Sequence, residues 1–148
     1  MLEVSAPPKS AGMFSGKVSE GLVLIVDDEP DVRTVVRMIL EKSGYTVIEA
    51  EDGEKAIQQV KSGENPLVLD LIITDIRMPK LNGLDAIQFF QKEFPRKPIV
   101  VLTGHPDIET ATNLMKQGIV DYLAKPVEKE KLLTAVAKGL EQRENSRL

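Results

Sequence analysis

The feature that most constrains this chain is a set of short apolar runs, each leading into a charged or hydroxyl side chain. Leu22-Val23-Leu24-Ile25-Val26 leads into Asp27 and Asp28, Leu71-Ile72-Ile73-Thr74 into Asp75, Ile99-Val100-Val101-Leu102 into Thr103, and Val120-Asp121-Tyr122-Leu123-Ala124 into Lys125. Runs this short, rich in β-branched residues and mostly lacking apolar-polar alternation, describe strands buried on both faces. Strands of this kind alternating with helices imply a parallel sheet covered on both sides, and such sheets hold their ligands at the carboxyl edge. Asp27, Asp28, Asp75, Thr103 and Lys125 all fall at that edge.

The segments between the runs carry helical periodicity. Val32, Val35, Val36, Ile39 and Leu40 mark one buried helix face, with Gly44 as its stop. Tyr45 to Glu49 reads as a short second strand, followed by a helix from Gly53 with Ala56, Ile57 and Val60 inward and Gly63 at its end. Met78-Pro79-Lys80-Leu81-Asn82-Gly83 carries turn residues, and Leu84, Ile87 and Phe90 begin a third helix. A fourth helix begins near Asp107 and is expected to bury Ile108, Ala111, Leu114 and Met115; a fifth follows Pro126, with Leu132, Leu133, Val136 and Leu140 on one side. Five βα units with right-handed crossovers predict an α/β, doubly wound (βα)5 domain. The expected five-stranded parallel sheet has order 2-1-3-4-5 and a flavodoxin-like topology.

A chain of 148 residues suffices for one domain, expected here over residues 21 to 141. Residues 1 to 20, rich in small and turn residues, read as a flexible leader, and residues 142 to 148 as a polar tail or linker stump. A formal charge of -4, with no basic stripe, opposes direct nucleic-acid binding. Zero cysteines exclude disulfides and thiolate metal sites and fit a reducing compartment, so the cytoplasm is the expected location. No apolar stretch approaches the roughly 20 residues of a membrane span.

Three carboxylates at one sheet edge repel one another, by about 4 kcal/mol per pair at about 4 Å and an effective dielectric near 20. Lys125 supplies one compensating charge. A hard divalent cation with oxygen ligands, Mg²⁺, would supply the rest, held by Asp27 and Asp28. Such an edge suits phosphoryl transfer with a carboxylate nucleophile. Asp75, alone at its strand end, is the expected nucleophile; Lys125 would pair with a phosphoryl oxygen as a point charge, and Thr103 offers a hydroxyl for another. Taken singly, each of these residues has an ordinary reading as a helix-end charge, a turn residue or a surface lysine. Their joint order is what makes a site.

Val26-Asp27-Asp28-Glu29-Pro30, Ile73-Thr74-Asp75-Ile76-Arg77-Met78-Pro79, Asn82-Gly83, Leu102-Thr103-Gly104 and Tyr122-Leu123-Ala124-Lys125-Pro126 together resemble the receiver domain of two-component response regulators. The resemblance runs in order from about Leu22 to Leu140. It implies that Asp75 is the phosphoacceptor and that Asp27, Asp28, Asp75 and the backbone carbonyl of Arg77 are the Mg²⁺ ligands. It implies further that Thr103 and Tyr122 form a switch pair, that Lys125 contacts phosphate, and that Lys125-Pro126 is cis. A histidine kinase or histidine phosphotransfer protein would then be the donor. The face of the fourth helix, fifth strand and fifth helix would respond, with phosphorylation-dependent homodimerisation as one outcome. Arg77 and His105 occupy positions that resemble tuners of phosphate lifetime. Asn65-Pro66-Leu67-Val68-Leu69 is longer than the usual connection before the third strand, and Thr103 to Thr110 resembles receivers of enhancer-binding regulators.

Two rivals remain at this stage. A Mg²⁺-dependent phosphohydrolase with an aspartyl phosphate would be a turnover enzyme, whereas a receiver promotes only its own phosphorylation and dephosphorylation. Such enzymes usually place a second acid two positions after the nucleophile, where this chain has Arg77. A flavodoxin-like binding module shares the topology, but an acidic edge opposes a flavin phosphate and no glycine- and hydroxyl-rich phosphate loop is present.

Overall fold

The computed structural model describes residues 18–77 and 83–147. In chain order the elements are β1 (Leu22–Val26), α1 (Pro30–Lys42), β2 (Thr46–Ala50), α2 (Gly53–Lys61), α3 (Asn65–Val68), β3 (Leu71–Thr74), α4 (Gly83–Glu93), β4 (Ile99–Thr103), α5 (Ile108–Lys116), β5 (Asp121–Ala124) and α6 (Lys129–Arg147). The five strands form one sheet of order β2-β1-β3-β4-β5, and every pairing is parallel. This is the doubly wound arrangement expected from the apolar runs. The turn expected at Met78 to Asn82, and most of the expected leader, lie outside the described residues.

Burial explains why the strands lack alternation. On one face, Leu24, Val26, Ile72, Ile99 and Val101 pack with Ala56 and Val60 of α2, Ala86, Ile87 and Phe90 of α4, and Leu114 of α5. On the other, Val23, Ile25, Leu71, Ile73, Val100 and Leu102 pack with Val36 and Leu40 of α1 and Leu132, Ala135 and Val136 of α6. Both residue sets of each central strand therefore lose contact with water, and both must be apolar. Helix α6 comes close to the sheet at Gly139, where an added Cβ would stand 2.5 Å from Leu71 Cδ1.

Local chemistry sets the helix ends. Pro30 occupies the first turn of α1, where its missing N–H costs no hydrogen bond. Gly44, at φ +95°, takes the left-handed conformation that ends this helix. The Tyr45 N–H then donates back to the Leu40 carbonyl at 3.0 Å. This use of Tyr45 moves β2 to Thr46–Ala50, one residue beyond the expected Tyr45 to Glu49. Asp52 caps α2 by accepting from the Lys55 N–H at 2.8 Å, and Asp107 caps α5 by accepting from the Thr110 N–H at 2.9 Å.

The apolar patterning is wider than the buried stripes. Val35, Ile108 and Met115, expected inward, are 45%, 86% and 43% exposed, and Leu84, at the start of α4, is 41% exposed. A sheet touches only a narrow strip of each helix, so Val36 and Leu40 carry α1 and Leu114 carries α5. Ile108 is the first residue of α5 and projects away from the core. The long connection before β3 folds into the extra helix α3, begun by Pro66 in its first turn. The molecule therefore has six helices among its described residues where the sequence predicts five.

Helix α1 is also tied to β2 electrostatically. Arg33 Nε donates to Glu49 Oε1 at 2.8 Å and Arg37 Nε to Glu49 Oε2 at 2.6 Å, while Arg33 Nη1 reaches the Asp27 carbonyl at 2.5 Å. Partial burial would raise the Glu49 carboxyl, but the two guanidinium hydrogen bonds outweigh it and hold the group below its ordinary value.

Two stability predictions follow from this packing. Phe90→Ala, which empties a fully buried site, is expected to cost about 3–5 kcal/mol in urea unfolding, whereas Ile108→Ala should stay within about 0.5 kcal/mol of the parent. Glu49→Gln should cost about 1 kcal/mol at pH 7, since it removes a charge shared by two arginines. A carboxylate with a lowered folded value stabilises above its unfolded value and loses that contribution as pH falls through the folded one. The difference between parent and Glu49→Gln should therefore begin to shrink below about pH 4.3 and vanish once Glu49 is protonated in the folded state, as read by unfolding curves across pH.

Candidate functional site

The strand register brings the predicted residues to one edge. Val26 pairs with Thr74 and Thr74 with Val101, so the residues that follow β1 and β3 emerge side by side. The Asp75 N–H donates to the Val26 carbonyl at 2.9 Å and the Asp27 N–H to the Ala50 carbonyl at 3.1 Å. Beyond β4, the Lys125 N–H donates to the Thr103 carbonyl at 2.8 Å. The Lys125-Pro126 peptide is cis.

Asp27 and Asp75 are buried, at 2% and 4% exposure, while Asp28 and Glu29 face solvent. The Lys125 ammonium lies among three carboxylates: Asp27 Oδ2 at 2.7 Å, Glu29 Oε1 at 2.6 Å and Asp75 Oδ2 at 2.8 Å. Two buried carboxylates are tolerable here because a cation is shared between them. Burial alone would lower the lysine, yet its hydrogen bonds to Asp27, Asp75 and Glu29 win and hold it above the ordinary lysine range, firmly protonated. Burial raises the Asp27 carboxyl above the usual aspartate value, against the pull of Lys125 and the Glu29 N–H.

Short backbone turns orient the acids. The Arg77 N–H donates to Asp75 Oδ1 at 3.0 Å and the Glu29 N–H to Asp27 Oδ1 at 2.9 Å, each an aspartate bonding the backbone two residues on. The first of these holds the Arg77 peptide against the Asp75 carboxylate. The Arg77 side chain itself is exposed. Arg33, through the Asp27 carbonyl, ties the loop after β1 to α1.

Ligand atoms from Asp27, Asp28, Glu29 and Asp75 all lie within 4.8 Å of one another. The donors are hard carboxylate oxygens, two of them on buried residues and two facing solvent, which suits Mg²⁺ with waters retained on its open side. The three carboxylates expected to hold the metal, Asp27, Asp28 and Asp75, are thus brought together, with the Glu29 carboxylate beside them. Sequence reasoning gave Glu29 no role, although it adjoins the Asp27-Asp28 pair; the reach of its side chain to Lys125, 96 positions away, is a tertiary contact.

Thr103 is fully buried, and its Oγ1 accepts the His105 N–H at 3.2 Å. Tyr122 is half-buried. Its hydroxyl accepts the Asp107 N–H at 3.3 Å, at the start of α5. Val101 pairs with Tyr122, and Thr103 with Ala124, so Thr103 and Tyr122 lie on the same sheet face two positions apart in register. They flank the loop between β4 and α5. His105 is exposed.

Comparison with known proteins agrees with this architecture. The sequence profile described as response regulator receiver domain matches residues 23–137. Similar curated proteins include the transcriptional regulatory protein GlrR of Escherichia coli K12, 34% identical over 81% of this chain and 26% of that protein. The nitrogen assimilation regulatory protein NtrX of Azorhizobium caulinodans is 35% identical over 80% of this chain and 26% of its own length. This chain thus spans about a quarter of the length of these relatives. Among solved structures, a response regulator receiver domain protein from Clostridium thermocellum superposes with a TM-score of 0.79 at 31% identity, covering 85% of this chain and 98% of that one. NtrX from Brucella abortus gives 0.76 at 30% identity, over 85% of this chain and 28% of its own. With a parallel sheet of order 2-1-3-4-5, an acidic carboxyl edge closed by Lys125 and a profile match across the whole domain, the chain belongs to the response regulator receiver domains.

Proposed function

We propose that this chain receives a phosphoryl group on Asp75 from a histidine kinase or a histidine phosphotransfer protein and passes the event on as a change of surface. The observation that carries this reading is the Lys125 ammonium at 2.8 Å from Asp75 Oδ2 and 2.7 Å from Asp27 Oδ2. It places a fixed positive charge beside a buried carboxylate at the open end of the sheet. Phosphoryl transfer needs a positioned nucleophile and neutralised oxygens more than it needs covalent help from the protein.

In the proposed reaction an Asp75 carboxylate oxygen attacks phosphorus, the bond from phosphorus to the donor imidazole breaks, and the imidazole leaves with the electron pair. The product is an acyl phosphate on Asp75. The Arg77 N–H bond to Oδ1 orients the nucleophile, and Lys125 turns from carboxylates to a phosphoryl oxygen. The Thr103 hydroxyl, which accepts from His105 in this structure, keeps its own proton available for another oxygen. Asp27, Asp28, Asp75 and the Arg77 carbonyl are the residues proposed to hold Mg²⁺, which when bound neutralises phosphoryl charge. The location proposed with this reading is the cytoplasm, where response regulators generally act. Among the described residues no helix is long and apolar enough to cross a membrane.

The proposed module is not a turnover enzyme in the sense of a phosphohydrolase: it promotes only its own phosphorylation and dephosphorylation, and its output is the state of Asp75. The phosphohydrolase reading finds no support at Arg77, whose exposed cationic side chain stands where an acid would be needed. The output proposed here runs through α5, β5 and α6. If Thr103 moves toward phosphate, the β4–α5 loop follows, and the Tyr122 hydroxyl loses its partner at the Asp107 N–H. A changed α5, β5 and α6 face then serves a partner or a second copy.

Acetyl phosphate with Mg²⁺ should label Asp75 alone, chelator should abolish labelling, and Asp75→Asn should not be labelled at the parent's rate; mass spectrometry of the intact chain and its peptides checks this. Asp28→Ala should weaken Mg²⁺ binding in calorimetric titration while the fold is kept. For the switch, Thr103→Ala should retain most labelling but lose most of the phosphorylation-dependent association. The Thr103→Ala, Tyr122→Ala double variant should lose less than the sum of the singles; strict additivity in a double-mutant cycle would return Tyr122 to packing alone.

A further inference from the structure

The donor capacity of Lys125 is already full. An ammonium has three N–H donors, and here they meet Asp27 at 2.7 Å, Glu29 at 2.6 Å and Asp75 at 2.8 Å. Lys125 therefore cannot gain a phosphoryl oxygen without giving up a carboxylate. Asp27 and Asp75 are buried and each is also held by a backbone N–H. The Glu29 side chain is 58% exposed, so water replaces its lost partner at little cost. Glu29 is thus the carboxylate that yields.

A second observation singles it out. Glu29 is the N-cap of α1, and its side chain makes no capping hydrogen bond. Short polar side chains at that position ordinarily accept from the first helical N–H groups, whereas this longer carboxylate is left to reach across the loop to Lys125, 96 positions on. The site thereby places a displaceable anion where the incoming phosphoryl charge must go.

We propose that Glu29 occupies Lys125 in the resting site and competes with the phosphoryl group for it, so that it sets how readily Asp75 is charged. The proposal rests on Asp75 being the phosphoacceptor. Removing the Glu29 carboxylate frees one donor of Lys125 and removes one negative charge facing the donor. The gain is that of a partly exposed ion pair, about two- to five-fold in affinity or rate.

The test uses the whole chain at saturating Mg²⁺, which separates any change in metal affinity from the effect on Lys125. Calorimetry measures binding of beryllofluoride, a non-covalent mimic of the phosphoryl group, to the parent, to Glu29→Gln and to Glu29→Ser, the last retaining a good N-cap. Acetyl phosphate then reports the covalent step, in which an Asp75 oxygen bonds phosphorus and acetate leaves with the electron pair of the broken P–O bond. Tighter beryllofluoride binding and faster labelling in both variants, by about two- to five-fold and shrinking with added salt, is the expected result. Equal or weaker binding in both folded variants, with the parent still labelled at Asp75, would overturn the role of Glu29 and leave the phosphoacceptor reading standing. A parent that takes neither beryllofluoride nor phosphate at Asp75 would overturn that reading, and the competition with it.

Discussion

Everything at the carboxyl edge depends on one ammonium group. Without Lys125, the buried carboxylates of Asp27 and Asp75 would face each other with no cation between them, an arrangement that burial makes far more costly than it would be in water. With it, the acids stay together and in place. The same group that makes the resting site tolerable is the one a transferred phosphoryl oxygen would claim, so the resting contacts and the proposed chemistry draw on the same donors. Stability and readiness are coupled at this lysine.

The sheet makes that coupling possible. Asp27, Asp75 and Lys125 lie far apart in sequence and are brought within hydrogen-bond reach by parallel pairing of β1 with β3, β3 with β4 and β4 with β5. Each strand is held between two apolar helix layers. A core packed on both sides leaves little freedom for a strand end to slide, since a slip by one residue would exchange the two faces of the strand. The backbone of Thr103, at the end of β4, belongs to this fixed frame, and only its side-chain hydroxyl is proposed to turn toward phosphate. Beyond Thr103 the chain is exposed from Gly104 to Glu109, and the Asp107 N–H of that loop donates to the Tyr122 hydroxyl. A rigid edge beside an exposed loop is the arrangement a chemical event needs if it is to move one part of the molecule and spare the rest.

Much of this was legible in the chain itself. Short apolar runs without alternation announce doubly covered parallel strands, because a strand buried on both faces has no polar side to show. Strand order followed from handedness and from helices on both faces, and the residues at the strand ends followed from the runs. Helix faces were less legible. Val35, Leu84, Ile108 and Met115 continue the apolar periodicity and yet are largely exposed, because periodicity marks a face but not the width of the strip that the sheet covers. The bend of Asn65 to Leu69 into α3 was equally hidden, since a four-residue helix carries no period of its own.

The sequence by itself determined the element order, the sheet topology and the gathering of Asp27, Asp28, Asp75, Thr103 and Lys125 at one edge. These depend on local periodicity and on chain connectivity, both written along the chain. Only the tertiary structure decided how the charges are shared: Lys125 on three carboxylates, Glu29 among them, Arg33 bridging the Asp27 carbonyl and Glu49, and the Tyr122 hydroxyl at the start of α5. Such partners are chosen in space between residues up to 98 positions apart. No local pattern encodes them, because burial and distance set the strength of a charge pair and neither exists until the sheet has formed.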